Sequence, residues 1–368
     1  MLTQTGVLNK RDLRHLIHEG IISGPSIERL EDMLDSTTID HSLGERGYYL
    51  GRSILPGNKT MTQVIQDRKK YELNGDRFYL HKRQVYLFPL AEKLKLYDQL
   101  SGESSSKSSI GRLGIVTRLI TERGEVFNEI PAGYQGSLYL EVYSLVFDLE
   151  LKPGLSLNQT RFNYGPSSFL PEHLVKASHQ GSGLLFANGG RCEGVKTKGS
   201  GVLMTADLET GGILAARETD KQLDLTKDFK DSNNLYRTED FFERRTPDER
   251  GELVLWPGEF YNILAREGSL VPLDCAAEVR KFDKNVGEIN TEEASYVHGG
   301  WGTNRSDEVV GTPLILEVTA NKFPFTIVHG SPLAFLDYLK LTSSLTREEA
   351  YGGVHNYQGL TAGKIFKD

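Results

Sequence analysis

The chain has 368 residues, 38% hydrophobic and 25% charged, enough for two domains that each bury an apolar core. Its net charge of −7 argues against the broad basic surface that nucleic acids require, although one small basic pocket can still bind a phosphate. It contains neither a signal-peptide core nor an apolar run near the ~18 residues of a membrane span, and Cys192 and Cys275 are too few for a disulfide framework. These features predict a cytoplasmic protein that binds neither membrane nor nucleic acid.

The first predicted element is a helix in NKRDLRHLIHEG. Asn9 is the expected N-cap, Asp12 occupies the N3 position, and Gly20 is the expected stop. Apolar residues recur between them at helical spacing. A second, shorter helix is predicted in PSIERLEDML, where Pro25 stands near the start.

After these helices the sequence consists of short β-rich runs that are broken by Gly, Pro and Asn. They include RGYYLG, RFYLHKRQVYLFPL, LGIVTRLI, GSLYLEVYSL and FDLELKPGLSLNQTRF. Closely spaced strands with few helices predict an all-β barrel or sandwich.

The second half of the chain repeats the pattern of the first. Leu80 aligns with Leu255 at an offset of 175 residues (255 − 80), and Glu141 aligns with Glu317 at an offset of 176 (317 − 141). An offset that stays nearly constant from Leu80 to Glu141 indicates a tandem duplication of one β domain. The predicted organisation is a first domain, a glycine-rich connector and a diverged second domain with a C-terminal tail, at residues 1–165, 166–201 and 202–368.

The run SSSKSSIGRLG contains the first candidate site. Lys107, Ser108, Ser109 and Arg112 bring two cations and two hydroxyls together within six residues. Such a loop can bind a triphosphate or polarise a water molecule, because hydroxyls and the backbone N–H groups of a Gly/Ser turn can converge on an anion. The alternative is a solvated linker, since Ser- and Gly-rich runs are often linkers.

Glu141 is the second candidate. Strand alternation in SLYLEVY places it on one face with Tyr139 and Tyr143, so it is a carboxylate among aromatic side chains. Burial there would raise its pKa toward neutrality, as a general acid or base requires. A half-exposed glutamate without a catalytic role is the alternative, and the same motif around Glu317 leaves a structural role in both copies open.

The combined motifs resemble the dCTP deaminases of the dUTPase-like superfamily. The resemblance rests on SKSSIGRLG, IPAGYQGSLYLEV and LKPGLSLNQTRF, and extends to TTIDHSLGERGYYL, FYLHKRQVYLFPLAEKLKL and the C-terminal NYQGLTAGKIFKD. It covers most of residues 9–163 and the last dozen residues. The length and the duplication are similar to the long, double-domain form of the enzyme. The resemblance therefore implies two tandem dUTPase-like β-barrel or jelly-roll domains, with the loop in residues 1–165.

The implied reaction is the hydrolytic, zinc-independent deamination of dCTP to dUTP and ammonia in pyrimidine deoxynucleotide metabolism. The H-x-E and P-C-x-x-C signatures of the zinc deaminases do not occur in the sequence. No protein-bound metal is expected for the chemistry, and Mg²⁺ would accompany the triphosphate. His15 and His18 share a helix face, but no carboxylate or thiol set accompanies them, so both are expected to be surface residues.

The resemblance also implies roles for the candidate residues. Glu141 would take a proton from water and deliver it to N3 of the ring. Ser108 and Arg112 would orient that water. Arg112 would also keep Glu141 ionised by lowering its pKa, whereas burial among aromatic side chains would raise that pKa. Lys107, Ser108 and Ser109 would contact phosphate oxygens. Because the positions of the second copy that align with Ser108 and Arg112 lack this pair, the first copy is expected to be active, with Glu317 as the alternative to Glu141.

Further nucleotide contacts are expected from two other segments. Relatives have Ile-Asp-Pro-Gly-aromatic before the glutamate strand, and the Asp contacts the deoxyribose. This chain has IPAGY at 130–134, so Asn128 or Glu129 would have to compensate, while Tyr134 supplies the aromatic residue. In the Gly-rich tail, Tyr357 and Gln358 are the candidates for closing over the nucleotide.

The resemblance finally implies a homo-oligomer with threefold symmetry, whose sites lie between subunits, and dTTP as an inhibitor. Two other functions are left open by the sequence. One is a dUTPase or a bifunctional enzyme that also cleaves dUTP, which the missing Asp disfavours because dUTPases use it to activate water. The other is a nucleotide-binding regulator without catalysis.

Overall fold

The computed structural model describes residues 4–166, 168–210, 213–227, 235–281, 289–291, 296–303, 309, 311–350 and 366–367. Its helices are short, as the sequence predicts. They are α1 (Lys10–His18), α2 (Ile27–Asp32), α3 (Met61–Arg68), α4 (Ser108–Gly111) and α5 (Glu172–Ser182).

Strands dominate the structure, so the prediction of a mainly β fold is confirmed. The strands before residue 166 are β1 (Gly6–Val7), β2 (Ile22–Ser23), β3 (Ile39–Ser42), β4 (Arg46–Tyr49), β5 (Tyr71–Asn74), β6 (Phe78–Leu80), β7 (Val85–Lys95), β8 (Leu100–Ser106), β9 (Ile115–Thr121), β10 (Glu129–Ile130), β11 (Gln135–Ser144), β12 (Asp148–Leu151) and β13 (Ser156–Tyr164). The strands after it are β14 (Leu185–Ala187), β15 (Gly190–Arg191), β16 (Thr197–Lys198), β17 (Gly201–Thr205), β18 (Ile213–Ala216), β19 (Gln222–Asp224), β20 (Tyr236–Arg237), β21 (Phe242–Arg245), β22 (Glu252–Leu255), β23 (Phe260–Ser269), β24 (Cys275–Lys281), β25 (Ile289–Thr291), β26 (Tyr296–Val297), β27 (Thr312–Ala320), β28 (Phe325–Val328), β29 (Pro332–Lys340) and β30 (Phe366–Lys367).

The two predicted N-terminal helices are confirmed as α1 and α2. The Asn9 side chain accepts hydrogen bonds from the backbone N–H groups of Arg11 and Asp12, and the Asp12 carboxylate accepts the N–H of Asn9 in return. This reciprocal capping satisfies donors that the first helical turn leaves free. Helix α2 begins after Ser26, whose hydroxyl accepts the N–H of Arg29.

The described residues divide into two compact units. The first consists of Met1–Ser167 and Glu218–Asn233, and the second of Ser168–Arg217 and Asn234–Asp368. The chain therefore passes between the units three times, and a segment of the second half belongs to the first unit.

Residues 166–201, predicted to be a glycine-rich connector, contain α5 and the strands β14 to β16. Three of the glycines in this range lie at turns or helix ends with positive φ. Gly183 ends α5 at φ 78°, Gly189 lies between β14 and β15 at φ 75°, and Gly199 lies between β16 and β17 at φ 63°. Such left-handed backbone favours glycine at a turn, so glycine content there does not indicate a flexible linker.

In the first unit, two antiparallel sheets carry most of the fold. One has the order β1-β13-β8-β10 with β3 on β13, and the other has the order β5-β4-β7-β11-β9 with β2 on β7. The Ser106 hydroxyl at the end of β8 lies 2.9 Å from that of Thr117 on β9 and links the two sheets. A third sheet, β19-β12-β6, contains a strand from the second half, since β19 pairs in parallel with β12.

The second unit repeats this plan. Its larger sheet has the order β15-β14-β23-β18-β21, with β27 on β23 and β25 on β27, and its other main sheet has the order β16-β17-β29-β24-β26. Buried apolar residues from both sheets form one core, including Val202, Met204, Ile263, Leu316 and Leu336.

The duplication is visible in strand register. Glu141 on β11 pairs with Leu87 on β7, and Glu317 on β27 pairs with Asn262 on β23. The partner therefore shifts by 175 residues (262 − 87) while the glutamate shifts by 176. The tandem β fold predicted from the sequence is confirmed.

A buried tyrosine makes the same contact in both units. The Tyr86 hydroxyl accepts the backbone N–H of His81 at 3.1 Å, and the Tyr261 hydroxyl accepts that of Trp256 at 2.8 Å. Both rings are nearly inaccessible to solvent. Each hydroxyl thus fixes the turn before a central strand, and this contact survived the divergence of the two copies.

Replacing Tyr86 with Phe should lower the free energy of unfolding by about 1–2 kcal/mol, because the substitution keeps the ring and removes the acceptor of a partly buried N–H. Guanidinium titration of wild type and variant measures the difference. Tyr79→Phe is the matched control, because the Tyr79 side chain is 53% exposed, and it should leave stability unchanged. Equal stabilities for Tyr86→Phe and wild type would contradict the structural role.

Candidate active site

Glu141 lies in the middle of a sheet and is only 2% exposed. Across β11 it faces Leu87 on one side and Arg118 on β9 on the other, and Tyr48 on β4 follows Leu87 in the same row. Directly opposed residues of antiparallel strands point to the same face, so these four side chains share one surface. Tyr139, two residues before Glu141, shares it as well.

Helix α3 and the segment before it cover this face of the sheet. Their apolar side chains pack on the strands around Glu141, as the sequence predicts for an aromatic and apolar environment. The buried members of this cluster are Leu50, Met61, Val64, Leu87, Ile120 and Tyr139, and the half-buried members are Tyr48, Ile54, Ile65 and Phe127.

The carboxylate of Glu141 receives hydrogen bonds from the segment that covers it. The Ser53 hydroxyl donates to Oε1 at 2.8 Å, and the backbone N–H of Ile54 donates to Oε2 at 3.4 Å. A guanidinium nitrogen of Arg118 lies 3.8 Å from Oε1. The Arg118 side chain is 37% exposed and its guanidinium stacks over the ring of Phe127 at 5.2 Å, so solvent screens the ion pair in part.

Sequence reasoning missed both Ser53 and Arg118. Arg118 becomes a neighbour of Glu141 only through the register of β9 on β11, and this register is not apparent in a single sequence. Ser53 reaches the carboxylate from an irregular segment 88 residues earlier in the chain. Neither residue lies in a motif with a recognised spacing.

The SSSKSSIGRLG run forms regular secondary structure. Its serines end β8, and residues from Ser108 form the single turn α4 with Lys107 as N-cap and Arg112 as C-cap. Arg112 is buried, whereas Ser108 and Ser109 are half-buried. The turn therefore holds the predicted cations and hydroxyls close together.

Lys107 forms an ion pair within the unit. Its ammonium group contacts the carboxylate of Asp40 on β3, in the TTIDHSLG segment. Burial raises the pKa of Asp40, and the charge of Lys107 opposes that rise. A phosphate at this turn would compete with Asp40 for the Lys107 ammonium.

The α4 turn and Glu141 are held by different contacts. Ser106, just before the turn, bonds to Thr117, and alternation along β9 points Thr117 away from the face that carries Arg118 and Glu141. The chain therefore reaches α4 from the side of the sheet opposite to Glu141. The structure brings Glu141 together with Ser53 and Arg118, and it places Ser108 and Arg112 together in the α4 turn.

The candidates Asn128 and Tyr134 both make hydrogen bonds inside their hairpin. The Asn128 side-chain oxygen accepts the N–H of Leu119 at 2.8 Å, and its backbone is left-handed at φ 67°. The Tyr134 hydroxyl donates to the carbonyl of Ser137 at 2.6 Å and accepts the N–H of Glu122 at 3.0 Å. Burial raises the pKa of Tyr134 to about 12. Both side chains thus shape the hairpin, and nucleotide contact by either stays a prediction.

The structure describes some of the remaining candidate residues and not others. Glu129 is exposed. Tyr357 and Gln358 lie outside the described residues. Glu317 is 3% exposed and faces Asn262 where Glu141 faces Leu87. The second-copy segment that aligns with Ser108 and Arg112 lies within 282–288, also outside the described residues.

Among the residues that the structure describes, no group of three or more His, Cys, Asp or Glu side chains is arranged to hold a metal ion. In the same residues, no helix has the length and apolar character needed to cross a membrane.

Comparison with known proteins gives matches over nearly the whole chain. The family model described as the 2'-deoxycytidine 5'-triphosphate deaminase N-terminal domain matches residues 4–166, and the corresponding C-terminal domain matches residues 177–366. The fold is similar to the crystal structure of 2'-deoxycytidine 5'-triphosphate deaminase from Agrobacterium tumefaciens. The sequence identity is 28%, the match covers 94% of this chain and 100% of that one, and the TM-score is 0.83.

Proposed function

The chain belongs to the 2'-deoxycytidine 5'-triphosphate deaminase family, and we propose that it converts dCTP to dUTP and ammonia with Glu141 as its general base. The protein is an enzyme of nucleotide metabolism. The observation that supports the assignment of Glu141 is a buried carboxylate beside a guanidinium and a hydroxyl, on a face lined by aromatic and apolar side chains.

In the proposed reaction, Glu141 takes a proton from water as the water oxygen bonds to C4 of the cytosine ring. Glu141 passes that proton to N3, and C4 becomes tetrahedral. The C4–N bond then breaks, the amino group leaves as ammonia with the proton of the new hydroxyl, and C4 keeps a carbonyl oxygen. A carboxylate performs this work when it is ionised at rest, and Arg118 favours the ionised form of Glu141.

The α4 turn supplies the remaining groups of the proposal. Lys107, Ser108 and Ser109 contact the triphosphate, and Arg112 with Ser108 orients the attacking water. Mg²⁺ accompanies the triphosphate as part of the substrate.

Because the chain reaches α4 from the side of the sheet opposite to Glu141, we propose that the complete site forms in a homo-oligomer. The α4 turn of one subunit would meet Glu141 of a neighbour, and threefold symmetry would repeat this contact three times. The contact of Ser106 with Thr117, on the face of β9 opposite to Arg118 and Glu141, supports this arrangement.

Incubating the purified enzyme with dCTP and, separately, with dUTP tests the activity. We expect one ammonia and one dUTP for each dCTP consumed, and no pyrophosphate from either nucleotide. Chromatography of the nucleotides with an ammonia assay measures both. Release of dUMP and pyrophosphate would favour the bifunctional alternative, and binding without turnover would favour a regulator.

A further inference from the structure

The Ser53 hydroxyl lies on the solvent side of the proposed general base. Glu141 is 2% exposed, whereas Ser53, whose Oγ is 2.8 Å from Glu141 Oε1, is an exposed residue. Water or a ring that approaches the carboxylate from solvent therefore passes close to this hydroxyl.

The segment that carries Ser53 is fixed on both sides. Before it, the backbone N–H groups of Leu50 and Gly51 donate to the carbonyl of Val85 on β7, at 3.1 and 3.2 Å. After it, Gly57 donates to the carbonyl of Gly124 at 3.3 Å. Ile54 packs on the apolar cluster under α3. These anchors hold the hydroxyl at a defined place relative to the sheet.

The groups that face Glu141 come from every neighbouring element. Arg118 approaches from β9 at 3.8 Å, while β4 and β11 contribute the rings of Tyr48 and Tyr139. The Tyr139 hydroxyl donates to the carboxylate of Glu122 at 2.7 Å, and that carboxylate also accepts the backbone N–H of Met61. Leu87 comes from β7, and α3 contributes the apolar side chains Met61, Val64 and Ile65. Arg52, next to Ser53, is exposed.

We infer that Ser53 is a positioning residue for deamination: its hydroxyl holds Oε1 of Glu141 and so directs Oε2 to the reacting water. Of these two hydrogen bonds, the one from the Ile54 N–H to Oε2 is the longer, 3.4 Å against 2.8 Å for the Ser53 bond to Oε1, so a water or a ring nitrogen can replace it more easily. One oxygen is thereby fixed while the other exchanges protons. This inference rests on the proposed role of Glu141.

The test compares Ser53→Ala, Ser53→Thr and Ser23→Ala in steady-state dCTP deamination over a range of pH. Ser23 is the matched control, because its hydroxyl donates to the carbonyl of Lys93, a contact outside the groups that face Glu141. We expect Ser53→Ala to lower kcat about tenfold and to leave KM within twofold, because the lost bond positions the base and does not bind the nucleotide. Ser53→Thr, which keeps the hydroxyl, should stay within threefold of wild type, as should Ser23→Ala.

The pH profile separates positioning from a merely structural role. A carboxylate that loses a hydrogen-bond donor binds its proton more tightly, so the acidic limb of kcat should move to higher pH in Ser53→Ala and stay in place in Ser53→Thr. If kcat and this limb match wild type in Ser53→Ala, or if KM alone rises, the inference is overturned. Loss of turnover in Glu141→Gln alongside such a result would leave the proposed function standing, whereas full turnover in Glu141→Gln would overturn both.

Discussion

Replacing Glu141 with Gln should lower kcat for dCTP deamination by about a thousandfold and leave nucleotide affinity within a few-fold of wild type. The amide has nearly the same shape and can still accept the bond from Ser53, but it cannot take a proton from water. General acid–base groups contribute about 10²–10⁴-fold to a rate. Single-turnover kinetics measure the chemical step, and calorimetric titration measures dCTP binding.

The control is the same substitution at the register-equivalent position of the second unit. Glu317 is also buried, so Glu317→Gln carries a comparable risk to folding, which thermal unfolding would reveal. We expect Glu317→Gln to keep kcat within about twofold of wild type. The opposite pattern, an inactive Glu317→Gln and an active Glu141→Gln, would move the catalytic carboxylate to the second copy.

Replacing Arg112 with Lys should lower kcat/KM about a hundredfold. Lysine keeps the charge but lacks the planar set of donors with which a guanidinium fixes several oxygens at once. Arg112 is 6% exposed at the end of the α4 turn, so solvent cannot easily substitute for the lost donors. Steady-state kinetics measure the effect, and thermal unfolding checks that the turn survives.

Arg118→Lys is the matched comparison, because Arg118 is the guanidinium whose contact with Glu141 the structure describes. Its half-exposed position and the 3.8 Å separation predict a loss of less than tenfold. A hundredfold loss of kcat/KM in Arg118→Lys together with full activity in Arg112→Lys would show that Arg118, and not Arg112, is the guanidinium that assists Glu141 in catalysis.

The parts of the fold that follow from local signals were predictable. Asn9 and Asp12 form the capping pair of α1, and the register between the copies of the β domain is retained around Glu141 and Glu317. Helix α3 was missed although Thr60 and Gln63 form a capping box at its start, because the helix contributes few apolar residues to the core. Its pattern of apolar residues at helical spacing is therefore weaker than the alternating pattern of the flanking strands.

The candidate site was predictable only in part. Alternation in one strand was enough to place Glu141 among aromatic side chains, and the Lys/Ser/Arg run indicated a compact cluster at Ser108 and Arg112. The groups that contact the carboxylate depend on tertiary structure. Arg118 requires the register of a neighbouring strand, and Ser53 requires the path of an irregular segment. Neither contact follows from local periodicity, because periodicity indicates the face of a strand on which a side chain lies but not the residue that it contacts.

Strand β19 affects how the gene could be divided. Duplication usually leaves two modules that recombination can separate, but β12 of the first copy pairs in parallel with residues encoded more than seventy positions downstream, as Leu149 does with Leu223. A gene cut after residue 166 would remove that strand and leave the hydrogen-bonding edge of β12 open to other chains. The first copy would therefore need residues of the second half to complete its sheet.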